Sequence, residues 1–226
     1  MRSLQDCFLY TFVDGAYLRG RPPQELAAQL CDGGSDLVQL RLKEATQDHV
    51  QRVAESILPI TERAGVGLVI NDYPAVAAAI GAPLCHLGQE DFFDRGYTHT
   101  QQIRQQAAPM EANLLVGLST HGPAQAQRAL EAGADYVAIG PVFATGTKPT
   151  AKPVTIEYVR WAARHVPVPW FAIGGINLET LPDVLEAGAQ RICVVSAILA
   201  APDPVKACKT FKERIVSAAR DWMRKP

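Results

Sequence analysis

The chain has 226 residues, 48% apolar and 20% charged, which supplies material for a sizeable core and excludes a disordered or fibrous protein. Its 22 basic and 23 acidic side chains leave a net charge of −1, so neither nucleic acid nor an anionic membrane surface is expected as a partner. The scattered cysteines Cys7, Cys31, Cys85, Cys193 and Cys208 form no C-x-x-C pair, and no apolar run reaches the ~18 residues of a membrane span or a long signal segment, so free thiols in a reducing cytoplasm are expected.

Short, almost unbroken apolar runs alternate with segments of helical spacing. In chain order, a strand at 8–13 precedes a helix near 23–31, and one at 36–41 precedes a helix at 46–64. Strands at 66–71 and 84–87 precede helices at 73–80 and 98–106, where Thr98 and Gln101 have capping-box spacing. Strands at 114–118 and 136–140 precede helices at 123–131, with Pro123 at the first helical position, and 156–165. Strands at 170–174 and 192–195 precede helices at 178–186 and 204–220.

Unalternating Val/Ile/Leu runs suit strands buried on both faces, as in a parallel sheet covered by helices. LEAGADYVAIGPVF at Leu130 is echoed by LEAGAQRICVVSAI at Leu185, and more weakly by AAIGAPLCHLGQ, each a helix end, a glycine and a strand. Eight such strands predict one α/β domain over 1–226, a closed (β/α)₈ TIM barrel, with an open doubly wound sheet as the runner-up.

A barrel builds its site at the C-terminal strand ends, and here those ends run into polar or glycine-rich residues. Gln39, Arg41 and Lys43 alternate, so they share one face of an extended segment; a guanidinium and an ammonium together suit a diphosphate, or are simply surface cations. Asn71-Asp72 follows the third strand and Asp91 the fourth. Two carboxylates beside a diphosphate suit Mg²⁺, although either could instead cap a helix. Gly174-Gly175 and Val195-Ser196, followed by a short helix at 196–199, suit a phosphate site. Thr145, Thr147 and Lys148 lie in a segment at 143–153 that could close over anions. Ser119 and His121 follow the fifth strand, His86 reads as a core histidine, and His49, His99 and His165 read as surface residues.

Seven blocks occur in the order QLRLK at Gln39, VINDYPAVAAAIGA at Val69, HLGQED at His86, GLSTH at Gly117, GADYVAIGPVFATGTK at Gly133, FAIGGI at Phe171 and VVSAI at Val194. Over residues 9–211 the chain resembles the thiamine-phosphate synthase family. The resemblance implies that Gln39, Arg41, Lys43, Asn71 and Ser119 bind 4-amino-2-methyl-5-hydroxymethylpyrimidine diphosphate, and that Asp72 and Asp91 bind Mg²⁺. It implies that Thr145 and Thr147 contact 4-methyl-5-(2-hydroxyethyl)thiazole phosphate, that Lys148 contacts the diphosphate, and that Gly175, Val195 and Ser196 hold the thiazole's phosphate. The implied reaction is a dissociative displacement of pyrophosphate, with Arg41, Lys43 and Lys148 stabilising the leaving group. The chain departs from the family in reading TFVDGAYLRGRPP at its first strand and in continuing Pro149-Thr-Ala-Lys152-Pro, which leaves Lys152 without a role.

The nearest rival is a thiazole tautomerase on the same scaffold, which would use His121 but has no need of Asp72, Asp91, Arg41, Lys43 and Lys148 together. A non-catalytic phosphate-binding barrel would be expected to lack the carboxylates. The expected partners are therefore two small-molecule substrates, with oligomeric state, including a homo-oligomer, left open.

Overall fold

The structure is a computed structural model describing residues 2–106, 113–144 and 153–223. Eight parallel strands hydrogen-bond in chain order and close into a barrel: β1 (Leu9–Asp14), β2 (Leu37–Arg41), β3 (Gly67–Asn71), β4 (Leu84–Leu87), β5 (Leu115–Thr120), β6 (Tyr136–Ile139), β7 (Trp170–Ala172) and β8 (Ile192–Cys193). Each expected strand is present, and pairing of β1 with β8 rules out the open sheet. No helix among the described residues is long and apolar enough to cross a membrane.

The outer ring comprises α1 (Gly15–Leu18), α2 (Pro23–Asp32), α3 (Gln47–Ala64), α4 (Pro74–Ile80), α5 (Gln89–Asp94), α6 (Gln101–Gln106), α7 (Pro123–Glu131), α8 (Thr155–His165), α9 (Leu181–Glu186), α10 (Ser196–Leu199) and α11 (Pro204–Met223). The short helices α1 and α5 carry no apolar periodicity and were not expected. The segment from Thr98 turns helical only at Gln101, because Gln102 Oε1 accepts the Thr98 and His99 amides (2.8 and 2.9 Å) and caps the chain one residue later than the predicted box. Thr46 caps α3 from outside, one residue before the helix begins at Gln47, and that helix ends on Gly65 at φ 68°.

Inside the barrel the aromatic rings of Tyr10, Tyr136 and Phe171 meet edge to face, with centroids 5.3–6.4 Å apart. Gly117 makes this possible: a Cβ there would stand 2.0 Å from Cζ of Tyr136. The bottom of the barrel is sealed by two similar devices. Asp36, just before β2, accepts the amides of Phe8 (2.7 Å) and Leu9 (3.0 Å) and pairs with Lys212 of α11. Asp135, just before β6, accepts the amide of Val116 at 2.6 Å and pairs with Arg104. Among the cysteines, Cys7, Cys85, Cys193 and Cys208 are buried and free, while Cys31 is half-buried. Burial pushes the Cys7 thiol up to about 12, with Asp36 adding to the effect.

Candidate active site

One cavity opens at the C-terminal strand ends, with about 890 Å³ of space including its mouth. Gln39, Arg41, Asn71, Ser119, Gly175, Val195 and Ser196 all line it, so seven of the expected residues converge from five strand ends. Lys43, Asp72 and Asp91 stand on the rim outside this lining. Thr145, Thr147, Lys148 and Lys152 lie outside the described residues.

The expected sharing of a face by Gln39, Arg41 and Lys43 holds only for the first two. Strand β2 stops at Arg41, so Lys43 falls in a turn, half-exposed, with Nζ 3.0 Å from Asp72 Oδ2. Asp72 also accepts from Asn71 Nδ2 at 2.6 Å, and its amide donates to the His86 carbonyl at 2.9 Å. It takes φ 63°, which a short polar residue tolerates and which turns the chain outward after β3. The capping alternative fails for both carboxylates: α4 begins after Tyr73 without a side-chain cap, and Asp91 lies inside α5, while Gln102 takes the first amides of the following helical segment. Asp91 is exposed in the first turn of α5, and its carboxylate has no hydrogen-bond or ion-pair partner among the described residues.

Asp14 is the residue that the sequence reading missed. It is 1% exposed, lines the cavity at the end of β1, caps α1 through the Ala16 amide (2.9 Å), and holds Arg41 Nη1 at 2.6 Å. The guanidinium is thus aimed before any ligand arrives, with its other donors left for one. The available signal was a polar residue closing strand one on the same rim as the others.

Across the cavity, Gly174 and Gly175 take φ 104° and 66° and dock on the β6 loop. A Cβ on Gly175 would meet the Ala144 carbonyl at 2.6 Å, and one on Gly174 would meet Pro141 Cα at 2.4 Å. Both positions therefore need glycine on conformational and steric grounds. The amides of Gly175, Val195 and Ser196 donate to no group among the described residues, so three donors stand open around the start of α10.

His86 is buried as expected, but it also faces the site: Nδ1 is 3.2 Å from Tyr136 Oη and Nε2 is 3.2 Å from Ser119 Oγ. His121 lines the same cavity and bonds through Nδ1 to the Gly140 carbonyl, which leaves Nε2 as its acceptor. His99 and His165 are exposed, as the sequence suggested.

A parallel barrel that converges an oriented guanidinium and three open loop amides on one cavity defines a phosphate-handling barrel enzyme. Comparison with known proteins specifies which. The family model described as thiamine monophosphate synthase matches residues 9–198, and the chain belongs to that family. It is 45% identical to the thiamine-phosphate synthase of Thermus thermophilus over 188 residues, covering 83% of this chain and 86% of that one. It is 34% identical to the enzyme of the same name from Lawsonia intracellularis, covering 96% of each. The solved thiamine phosphate pyrophosphorylase of Pyrococcus furiosus superposes with a TM-score of 0.82 at 27% identity, over 95% of this chain and 98% of that one. The chain is accordingly a transferase of thiamine biosynthesis, and the tautomerase alternative finds no support among these relatives.

Proposed function

We propose that the cavity joins the two substrates named by the family resemblance. The aminopyrimidine would sit on the buried floor beside Gln39, Asn71 and Ser119, its diphosphate reaching Arg41 and Lys43 at the rim. The thiazole's phosphate would sit opposite, on the amides of Gly175, Val195 and Ser196 and the Ser196 hydroxyl. Thr145, Thr147 and Lys148 are proposed to complete the two anion sites, with Lys148 beside Arg41 and Lys43 in stabilising the leaving group.

The observation that carries this reading is the Asp14–Arg41 pair facing open amides across one cavity. A group-transfer enzyme must bind two anions at a fixed spacing, and this arrangement supplies two separate anion sites. Displacement of pyrophosphate from the pyrimidine's methylene carbon by the thiazole nitrogen needs no enzymic nucleophile. It needs positive charge where the leaving group gathers negative charge, and a fixed pose for the incoming nitrogen. Arg41 is held in place for the first task, and the rigid glycine loop for the second.

Asp72 and Asp91 fit Mg²⁺ in chemistry, being hard oxygen donors at the ends of adjacent strands. No group of three acidic, histidine or cysteine side chains gathers for a metal among the described residues. Mg²⁺ commonly takes only one or two carboxylates and completes its shell with water and phosphate oxygens, so the pair suffices. When bound, the ion would neutralise charge on the diphosphate. Lys43 now occupies the Asp72 carboxylate and would be freed toward the diphosphate.

The purified protein is expected to release thiamine phosphate and pyrophosphate from the two substrates only with Mg²⁺ present. Asp72→Asn, which keeps a short polar side chain at φ 63°, should abolish most turnover while largely preserving the melting temperature. Full activity in that variant removes the metal assignment, and isomerisation of a thiazole carboxylate without condensation removes the synthase reading.

A further inference from the structure

Five side chains from five strands cross the barrel floor in one hydrogen-bonded line. Gln39 Nε2 on β2 donates to Tyr10 Oη on β1, which lies 3.4 Å from Tyr136 Oη on β6. Tyr136 Oη lies 3.2 Å from His86 Nδ1 on β4, and His86 Nε2 lies 3.2 Å from Ser119 Oγ on β5. Ser119 Oγ reaches the Leu87 carbonyl at 3.5 Å.

The ends set the direction. A carbonyl only accepts, so Ser119 donates to Leu87 and receives from His86 Nε2–H. A neutral imidazole protonated at Nε2 accepts at Nδ1, so Tyr136 donates to it and receives from Tyr10. Tyr10, having donated, receives from Gln39. Burial drives both phenol pKa values up, so each keeps the single proton this order requires. At the open end, Gln39 Oε1 accepts from no described residue, is not sealed from space, and belongs to a side chain lining the cavity.

We propose that Tyr10, Tyr136 and His86 are positioning residues whose one-way hydrogen-bond chain locks Gln39 with Oε1 toward the cavity, so that the floor selects a ring presenting an exocyclic N–H donor. The ligand class rests on the reading above that an aminopyrimidine binds here. A 4-oxo ring would place a carbonyl against Oε1, leaving two acceptors face to face. The same proton order gives His86 no lone pair toward Ser119, so this pair is not an activated nucleophile despite its spacing.

Two measurements test the proposal. In the ligand-free protein, ¹⁵N NMR should show the His86 ring neutral and protonated at Nε2, its signals assigned by their loss in His86→Asn. A ring protonated at Nδ1 alone, or at both nitrogens near neutral pH, overturns the chain. Calorimetry with the monophosphates of the 4-amino and 4-oxo pyrimidine methanols should show a preference for the amino form of roughly tenfold in the native protein. Tyr136→Phe keeps the ring over Gly117 but frees Tyr10 to donate to Gln39 Oε1, so the preference should fall to about threefold or invert. An unchanged preference with an unchanged melting temperature overturns the role of the chain. If Tyr136→Phe does not fold, Tyr10→Phe cuts the neighbouring link and is read the same way. If the native protein binds neither analogue, the pyrimidine reading fails, and the NMR result decides the chain by itself.

Discussion

Strands β1 and β2 carry a buried carboxylate–cation pair at each end, Asp36 with Lys212 below and Asp14 with Arg41 above. At the bottom, Asp36 also accepts two backbone amides and joins β1 to the last helix. Its bonding is spent on the chain itself. At the top, Asp14 takes one guanidinium nitrogen and one helix amide, and Arg41 keeps further donors toward the cavity. One pairing chemistry closes the fold at one end and leaves a site ready at the other. The difference is how many donors remain once the protein's own groups are satisfied.

Removing the lower carboxylate should have the largest effect. Asp36→Ala strands Lys212, whose side chain is only 18% exposed, and should cost about 3–5 kcal/mol in denaturant unfolding. Activity of the protein that remains folded should be unchanged. Arg2, 69% exposed, contributes little to that figure. Asp14→Asn should do the reverse, lowering kcat/KM about 10- to 100-fold at a stability cost below about 2 kcal/mol. If both variants lose stability alike and activity not at all, the contrast between the two ends collapses.

Gly175→Ala sharpens the contrast on the opposite rim. At φ 66° with a carbonyl 2.6 Å from the new Cβ, it should cost about 1–3 kcal/mol and raise KM for the thiazole phosphate more than for the pyrimidine diphosphate. An equal rise in both constants would place the glycine loop outside the phosphate site.

The smallest effect concerns pH at the bottom of the barrel. The Cys7 thiol is raised from 9.0 to about 12 in the fold, so the unfolded chain loses its proton first. The thiol's contribution to stability is complete below pH 9 and is lost as pH climbs toward 12. The slope there approaches about 1.4 kcal/mol per pH unit for one such group. Cys7→Ala should flatten the pH dependence of denaturant-measured stability in that window, on top of a pH-independent loss for the buried sulfur it removes; an identical slope would show that other groups govern alkaline unfolding.

By itself the sequence determined a parallel sheet covered by helices, because eight Val/Ile/Leu runs separated by amphipathic segments bury both faces of a strand in that arrangement; its closure into a barrel was decided by the pairing of β1 with β8. It also marked much of the cavity's polar lining. The rule that barrels work at their C-terminal strand ends picks out Gln39, Arg41, Asn71, Ser119, Gly175, Val195 and Ser196 without coordinates, and the cavity gathers all seven. Tertiary structure alone decided what those residues are bonded to. Asp14 and Arg41 are 27 positions apart, and only the β1–β2 register sets them side by side. His86 reads as core, and Tyr10 and Tyr136 only as strand residues, because burial is all that local pattern reports. Their hydroxyls and ring nitrogens meet because a closed barrel turns the inward faces of β1, β4 and β6 onto one floor. Hydrophobic periodicity is a local property and survives in one dimension; hydrogen-bond partnership depends on strand register and closure, which it does not encode.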